Sequence, residues 1–354
     1  MKAYRVGVIG ATGMVGQRFV SLLDGHPWFH LTALAASSRS AGKRYGEVME
    51  GRWLLKEALP EKARNLPVFD AFSDAKEMVR RCDFVFCAVD LPKEKVVELE
   101  ELYAKLECPV ISNNSALRGQ SDVPMLLPEC NGDHADIIPA QRRRLGTVRG
   151  FVAVKPNCSL QSYVPALHPL RRFGLEQVLV VTCQAISGAG KIFDTWPEMV
   201  DNVIPLIPGE EEKSRKEPLK IWGELTEEAI IPAEKPEISA QCLRVPVSDG
   251  HMATVFVRFR EKPTKEQILS CWREYKGLEL PSAPQEFLRY CEEENRPQTR
   301  LDRDSESGMG ISIGRLQEDS QYDFRFVCLS HNTLRGAAGG AVLMAEYLAE
   351  KGYL

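Results

Sequence analysis

The chain has 354 residues, which is enough for two domains with cores of ordinary size. Hydrophobic residues make up 44% of the composition and charged residues 27%, as in a globular protein and unlike a disordered or fibrous one. A formal net charge of −4 is small for this length, so charge favours neither nucleic acid nor an anionic membrane as a partner.

The chain begins with a predicted strand, residues 4–9, which runs directly into a glycine-rich turn at 10–16 and a helix ending near Gly25. Glycines at this spacing allow backbone N–H groups at a helix N-terminus to approach a pyrophosphate. The spacing alone is a weak signal, but in the first βα turn of a chain it predicts a dinucleotide site. The candidate cofactor-binding residues here are Gly10, Thr12, Gly13, Met14 and Val15.

The second predicted strand, residues 29–36, ends in a loop of hydroxyls and cations that contains Ser37, Ser38, Arg39 and Lys43. An NAD site usually has an acidic residue here for the ribose 2′-hydroxyl, whereas these side chains suit a 2′-phosphate. Because the glycine turn precedes this loop, we predict NADP as the cofactor. Without that turn, a solvated basic loop would be the first interpretation.

Alternating elements then continue the pattern of a doubly wound parallel sheet. Helices are predicted at 74–81 and 92–106, and strands at 83–89, 109–112 and 151–154. Asn113, Asn114, Ser115 and Arg118 follow the strand at 109–112, at the edge where such sheets bind ligands. They predict an oxyanion or phosphate site, with plain turn chemistry as the alternative.

Cys158 lies between the strand at 151–154 and a helix that begins near Leu160. The positive end of a helix dipole and free backbone N–H groups favour a thiolate and can hold an oxyanion. We therefore interpret Cys158 as an acyl-forming nucleophile; a buried structural cysteine is the alternative. The ten cysteines include no CxxC pair and no histidine-rich partner run, so no metal site is predicted.

The second half of the chain changes character. Strands are predicted at 176–184, 240–247, 253–259, 310–316 and 322–329, helices at 210–217 and 264–275, and a surface insertion at 276–309. This pattern predicts an α+β domain with an open antiparallel-type sheet. Small residues at 336–340 precede a final helix that returns to the cofactor crevice.

The fold class is therefore α/β, with two domains. A Rossmann-like doubly wound NADP-binding domain covers residues 1–156 and is completed by the C-terminal helix at 332–354. A second α+β domain, residues 157–331, serves catalysis and dimerisation.

In that domain Arg244 and His251 flank a Ser-Asp-Gly turn, where they could clamp a carboxylate and move a proton. A lone histidine in a turn is more often a surface residue.

Six motifs, in order, resemble the aspartate-β-semialdehyde dehydrogenases: GATGMVG at 10–16, PNCS at 156–159, QAISGAG at 184–190, IPLIPGEEEK at 204–213, RVPVSDGH at 244–251 and SHNTLRG at 330–336. They extend over nearly the whole chain. The residues of these motifs, together with DVPMLLPE at 122–129, are most similar to those of the archaeal and fungal branch.

The resemblance implies a reaction and a set of roles. The reaction is NADP-dependent reductive dephosphorylation of L-4-aspartyl phosphate to L-aspartate 4-semialdehyde through a cysteine thioacyl intermediate, in lysine, threonine and methionine biosynthesis. The implied catalytic residues are the nucleophile Cys158, the acid/base His251, Asn157 at the oxyanion and Gln184 orienting the intermediate. The implied substrate-binding residues are Arg244 for the carboxylate, Glu210 for the ammonium, and Arg118 and Lys213 for phosphate, with Asn114 in the same loop as Arg118. Ser187, Gly188 and Asn332 would contact NADP.

Alternatives remain open at this point. A malonyl-CoA reductase or an N-acyl-glutamyl-phosphate reductase would share the nucleotide domain and the cysteine, although an acid placed for an ammonium disfavours both. An inactive nucleotide-binding regulatory protein should have replaced Cys158 or His251, and this chain retains both. The choice among Glu210, Glu211 and Glu212 is open, as is dimer versus tetramer. With no signal peptide and no apolar run of spanning length, we expect a cytoplasmic homo-oligomer.

Overall fold

Parallel strands form the N-terminal sheet of this computed structural model, which describes residues 3–354. The strands are β1 Tyr4–Ile9, β2 Phe29–Ala36, β3 Val68–Asp70, β4 Phe84–Cys87, β5 Val110–Ser112 and β6 Val152–Val154. Their order, β3-β2-β1-β4-β5-β6, reverses direction between β1 and β4. This order confirms the predicted Rossmann-like domain. Ligands of doubly wound sheets bind where the strand order reverses, so the crevice lies at the carboxyl ends of β1 and β4.

The first βα turn is as tight as the glycine pattern predicts. Gly10 has a φ of +83°, and a Cβ there would lie 2.2 Å from the carbonyl oxygen of Ala88. A Cβ on Gly16 would lie 2.1 Å from the carbonyl oxygen of Gly10. Larger residues at either position would therefore push the first helix away from the sheet, and with it the helix N-terminus that faces the crevice.

Helices cover both faces of this sheet. They are α1 Met14–Leu22, α2 Tyr45–Met49, α3 Glu61–Arg64, α4 Ala75–Arg81, α5 Lys93–Lys105, α6 Pro128–Asn131 and α7 Ile138–Leu145. The last helix of the chain, Gly339–Glu350, is almost entirely buried and shares its core with β1 and α1. The C-terminus therefore packs on the N-terminal sheet.

The second sheet is mixed, which corrects the expectation of an open antiparallel sheet. The strands of this half are β7 Leu175–Gln184, β8 Glu224–Leu225, β9 Ile230–Ile231, β10 Glu237–Arg244, β11 His251–Phe259, β12 Leu288–Cys291, β13 Ile311–Glu318 and β14 Phe324–Ser330. Six of them form the order β10-β7-β11-β14-β13-β12, with β10 parallel to β7 and β12 parallel to β13. Each parallel pair has a long connection between its strands, which parallel pairing requires and strand periodicity does not reveal.

The predicted surface insertion at 276–309 is wrong in part. It contains β12, which adds an edge strand to the sheet, and the short helix Thr299–Asp302. Phe287 is buried, and Asp302 accepts a hydrogen bond from Nε of Arg296 at 2.7 Å. A four-residue strand is too short for its hydrophobic alternation to stand out from a proline-punctuated segment.

The second half of the chain has three longer helices before the C-terminal one, and the first two lie at the site. Leu160–Leu167, here α8, is buried along its whole length and follows Cys158. Glu210–Ile221, here α9, contacts β10 along its length, and Lys265–Glu274, here α10, begins at Thr264 with the side-chain cap of a capping box.

None of the helices in residues 3–354 is both long enough and apolar enough to cross a bilayer. Residues 3–354 also contain no cluster of three acidic, histidine or cysteine side chains suited to a metal.

Candidate active site

A cavity of about 310 Å³ lies at the reversal point of the parallel sheet, with Cys158 in its wall. It is lined by Val15, Asn113, Asn114, Ser115, Arg118, Pro156, Asn157, Cys158, Ser187, Gly188, Glu210, Lys213, Asn332, Thr333, Gly336 and Ala337. Both sheets contribute to this wall, so the cavity brings together residues predicted separately for substrate and for cofactor.

Cys158 is two residues before α8 and partly exposed to the cavity. Burial raises the pKa of its thiol to about 11, and the Glu210 carboxylate adds to that rise. Lys155, Arg118 and Arg244 act in the opposite direction. The expectation that this position favours the thiolate is therefore wrong, since burial outweighs the surrounding positive charge.

Glu210 is the centre of a buried polar network. Its carboxylate accepts hydrogen bonds from Nδ2 of Asn157 at 2.9 Å, Nε2 of Gln184 at 3.1 Å and Nζ of Lys213 at 2.7 Å. Burial alone would raise the pKa of Glu210, but the charge and hydrogen bond of Lys213, with the two amides, hold it below the usual range. Glu210 thus enters the cavity as a carboxylate.

The neighbouring acids do not share this position. Glu211 accepts a long hydrogen bond from the backbone nitrogen of Cys242, at 3.4 Å, and Glu212 is exposed and paired with Lys216 at 2.7 Å. Among the three glutamates, Glu210 is the one that lines the cavity. The sequence had left this choice open.

Glu217 is a site residue that the sequence reasoning did not single out. Its Oε1 is 3.0 Å from Nη1 of Arg118, and its Oε2 accepts a hydrogen bond from the backbone nitrogen of Asn157 at 2.7 Å. Glu217 lies seven residues after Glu210, two turns along the same face of α9. That spacing was visible in the sequence and could have identified it.

The contacts of Asn157 differ from the predicted oxyanion role. Its backbone N–H is bound to Glu217, and its side-chain amide is bound to Glu210. Its Oδ1 accepts from the backbone nitrogen of Ser159 at 2.9 Å and from the Ser159 hydroxyl at 2.6 Å. Every polar atom of that side chain therefore has a partner, and the hydrogen bonds of Asn157 hold the Glu210 carboxylate in position next to the residue before Cys158.

His251 is fully buried at the start of β11, not a surface residue of a turn. Its Nδ1 accepts a hydrogen bond from the backbone nitrogen of Ala185 at 3.1 Å, so the neutral ring carries its proton on Nε2. Nε2 is buried without a partner among residues 3–354, which leaves an N–H donor available. Burial, reinforced by Arg244, lowers the pKa of His251 to about 3, so the ring is neutral at physiological pH.

Arg244 lies at the end of β10, and its Nη1 donates to the carbonyl oxygen of Ala185 at 2.7 Å. A Cβ on Gly188 would lie 2.9 Å from Nη1 of Arg244 and 3.0 Å from Nε2 of His251. Gly188 itself lines the cavity, so both side chains lie directly behind the Ser187–Gly188 turn. Gly188 is the residue whose small size allows that approach.

The other predicted residues form two groups, those that line the cavity, such as Asn332 and Asn114, and those that do not. Asn332 links the Ser187–Gly188 turn to the start of β11, because its Nδ2 donates to the Ser187 hydroxyl at 2.9 Å and its Oδ1 accepts from the Gly250 nitrogen at 2.8 Å. Asn114 lines the cavity and donates to the buried Glu100 at 2.8 Å. The second group, Ser37, Ser38, Arg39 and Lys43, is exposed at the carboxyl end of β2 and does not line the cavity.

The residues present fit a dinucleotide. The tight turn after β1 keeps α1 close to the sheet, and Val15 of α1 lines the same cavity as Cys158. Ser187, Gly188 and Asn332 approach that cavity from the opposite wall. A nicotinamide end between these walls and a ribose end toward residues 37–43 are compatible with this crevice.

Comparison with known proteins agrees with this architecture. A family model described as the NAD binding domain of semialdehyde dehydrogenase matches residues 5–138, and one described as the semialdehyde dehydrogenase dimerisation domain matches residues 167–335. The fold and the cavity thus define a two-domain semialdehyde dehydrogenase.

The particular family follows from full-length relatives. The aspartate-semialdehyde dehydrogenase of Archaeoglobus fulgidus is 41% identical over 98% of both chains. That of Saccharomyces cerevisiae is 40% identical over 97% of this chain and 96% of its own. The crystal structure of aspartate semialdehyde dehydrogenase with NADP from Candida albicans has a TM-score of 0.89 at 37% identity and covers 100% of both chains. The chain belongs to the aspartate-semialdehyde dehydrogenase family.

Proposed function

We propose that the chain converts L-4-aspartyl phosphate to L-aspartate 4-semialdehyde with NADPH, through a thioacyl intermediate on Cys158. The observation that carries the proposal is that Cys158, the Glu210 carboxylate and the cations Arg118 and Lys213 line one cavity at the switch point of a nucleotide-binding sheet. An amino-acid acyl phosphate has an ammonium and a phosphate, and these groups match the two kinds of charge in that wall.

Each end of the substrate has a partner. Glu210, held as a carboxylate by Lys213 and two amides, receives the ammonium. Arg244, behind the Gly188 turn, binds the α-carboxylate, and Arg118 with Lys213 binds the phosphate as it leaves. Arg118 is already oriented by Glu217 at 3.0 Å and by the carbonyl oxygen of Asn113 at 3.0 Å, so little reorganisation is needed.

The chemistry uses Cys158 as nucleophile and His251 as donor. Sγ of Cys158 reacts as the thiolate: it bonds to the acyl carbon while the bond from that carbon to the phosphate oxygen breaks, which leaves a thioester and free phosphate. Nε2–H of His251, which has no partner among residues 3–354, donates to the carbonyl oxygen as negative charge develops there. Bound NADPH supplies the hydride of the reductive step. Sulfur is a better leaving group than a serine alkoxide, so Cys158 is released when the semialdehyde departs.

NADP is the proposed cofactor of this chain. The turn at 10–16, the Ser187–Gly188 turn and Asn332 would hold its nicotinamide half. The exposed hydroxyls and cations of Ser37, Ser38, Arg39 and Lys43 would bind the 2′-phosphate.

We also propose the division of labour within the chain and its assembly. Residues 1–156 with 332–354 form the nucleotide-binding domain, and residues 157–331 form the catalytic and dimerisation domain. The match of residues 167–335 to a dimerisation domain supports a homodimer or homotetramer. The activity and the sequence composition support a cytoplasmic location.

The test is a spectrophotometric assay of the reverse reaction. Aspartate semialdehyde and NADP should give NADPH only when phosphate is present. Malonyl-CoA and N-acetyl-glutamyl phosphate, offered with NADPH, should give no comparable oxidation. Activity with either of those donors and none with aspartate semialdehyde would overturn the proposal.

A further inference from the structure

Lys155 is a buried lysine three residues before the nucleophile, and the proposed mechanism does not use it. It follows the last residue of β6, and only 2% of its surface is exposed. Lysines are almost never buried to this extent unless a partner compensates their charge. Its surroundings therefore have to explain why a lysine is accommodated here.

Its ammonium end joins two segments of the cavity wall. Nζ donates to the carbonyl oxygen of Pro156 at 3.3 Å and to that of Gly336. Both of these residues line the same cavity as Cys158. A Cβ on Gly336 would lie 3.1 Å from Cβ of Cys158, so the segment that Lys155 binds is in direct contact with the nucleophile.

The fold also makes room for the lysine stem. A Cβ on Gly340 would lie 2.7 Å from Cε of Lys155, closer than side-chain carbons approach one another. Gly340 is in the first turn of the last helix, which is buried from Gly339 to Ala349. The glycine thus leaves the space that the lysine occupies.

Charged groups on several elements change the pKa of Lys155. Burial lowers its pKa well below the ordinary value, and Arg118 and Arg335 lower it further, whereas a Cys158 thiolate and Glu217 raise it. In return, Lys155 is the cation with the largest lowering effect on the pKa of Cys158. Among residues 3–354, the hydrogen-bond acceptors of Nζ are carbonyl oxygens and not carboxylates. The Cys158 thiolate acts on Lys155 more strongly than Glu217 does, so it is the main negative charge for this lysine.

We propose that Lys155 is a positioning residue that clamps the Cys158 turn against the Leu334–Ala338 turn and provides the buried counter-charge of the Cys158 thiolate. The proposal rests on the proposed function, in which Cys158 reacts as a thiolate. A proton that passes from the Cys158 thiol to the Lys155 amine charges both groups, and each charge stabilises the other while the net charge of the pair stays constant.

The test measures the thiolate directly and needs neither substrate nor cofactor. The full-length protein is alkylated with iodoacetamide at a series of pH values, and the modified Cys158 peptide is quantified by mass spectrometry. Lys155→Met should move the alkylation profile of Cys158 to higher pH and slow labelling at fixed pH by about tenfold, which corresponds to one pKa unit. Lys155→Gln keeps an N–H donor but no charge, and should show the same shift.

The matched control is Lys220→Met. Lys220 is also a buried lysine, 5% exposed, and donates to the carbonyl oxygens of Arg118 at 2.8 Å and Val123 at 2.9 Å. Its removal should leave the Cys158 profile in place. An unchanged profile in folded Lys155→Met, or an equal shift in Lys220→Met, would overturn the proposed counter-charge. Thermal unfolding checks that each variant is folded.

A reciprocal measurement leaves Lys155 in place. In protein with 13C at lysine Cε, blocking Cys158 with iodoacetamide should move the titration of one buried lysine to lower pH, because the thiolate no longer supports its charge. No responding lysine would contradict the pairing even if the variants do not fold. If the dehydrogenase assay fails but these shifts occur, the error lies in the proposed substrate and not in the pair.

Discussion

The wall around Cys158 and the loop at residues 37–43 are two halves of one proposed site, but they are built differently. Around Cys158, buried carboxylates, amides and cations already hold one another in fixed positions, as in the contacts of Glu210 and Glu217. Ser37, Ser38, Arg39 and Lys43 are all exposed. The comparison teaches that protein contacts hold the side chains around Cys158 in place, whereas solvent surrounds the side chains of the proposed ribose-binding loop. Variants of the first region should therefore show large effects and those of the second small ones.

The largest effect is expected at the nucleophile. Cys158→Ser should lower turnover by at least about a thousandfold, because a hydroxyl is a poorer nucleophile here and a poorer leaving group. NADP binding, followed by fluorescence titration, should persist. Cys271→Ser, on the distant helix Lys265–Glu274, is the matched control and should retain turnover. A serine variant at 158 with normal turnover would remove the thioacyl mechanism.

The second largest effect is expected at Arg118, the proposed phosphate-binding residue in the wall around Cys158. Arg118→Ala should raise the apparent KM for phosphate by about ten- to a hundredfold, since it removes a charge-assisted contact and leaves Glu217 unneutralised beside the cavity. The KM for semialdehyde should change much less. Lys216→Ala, an exposed cation on the same helix as Lys213, is the control. Equal losses for both substrates would mean that Arg118 is structural.

The buried imidazole should make the folded protein sensitive to acid. The pKa of His251 is lowered to about 3, whereas an unfolded histidine has a pKa of about 6.5. The unfolded state therefore binds more protons between these values, so stability is present above pH ~6.5 and is lost as pH falls through it toward 3. This group alone predicts a loss of about 2 kcal/mol in unfolding free energy between pH 7 and 5.

Urea unfolding at the two pH values measures this loss. His251→Gln should show a smaller decrease than the parent protein, by about that amount. His168, whose pKa burial lowers to about 4, remains in both proteins and contributes a decrease of the same sign. Identical pH dependence in the two proteins would show that His251 is not held neutral by the fold.

The smallest effect belongs to the exposed loop. Arg39→Ala should narrow the preference for NADP over NAD by about tenfold or less, because solvent screens a single exposed contact. Lys76→Ala, an exposed cation on Ala75–Arg81, should leave the preference unchanged. A preference for NAD in the parent protein would refute the interpretation of this loop.

The sequence predicted the fold where periodicity and turn chemistry agree. Strands such as Tyr4–Ile9 and Leu175–Gln184 and the helix Lys265–Glu274 follow their hydrophobic patterns and caps, so local rules located them to within a few residues. The edge strand Leu288–Cys291 was missed because its partner, Ile311–Glu318, is distant in the chain. The pairing of parallel strands is a tertiary property that no local window contains.

The site shows the same division. Motifs identified Cys158, Glu210 and Lys213, all of which line the cavity. They did not reveal that the backbone of Asn157 is bound by Glu217, sixty residues away, since that contact depends on how the helix Glu210–Ile221 packs. Nor did they reveal that burial raises the pKa of Cys158 to about 11, because the helix-terminus argument weighs charge without desolvation.

The central claim is that a thioacyl group forms on Cys158, and one measurement tests it most directly. The protein is mixed with aspartate semialdehyde and NADP in the absence of phosphate, quenched in acid, digested and examined by mass spectrometry. We predict an aspartyl group on the Cys158 peptide that disappears when phosphate is added before the quench, and none in Cys158→Ser. An aspartyl group on another residue, or none during phosphate-dependent NADP reduction, would contradict the account.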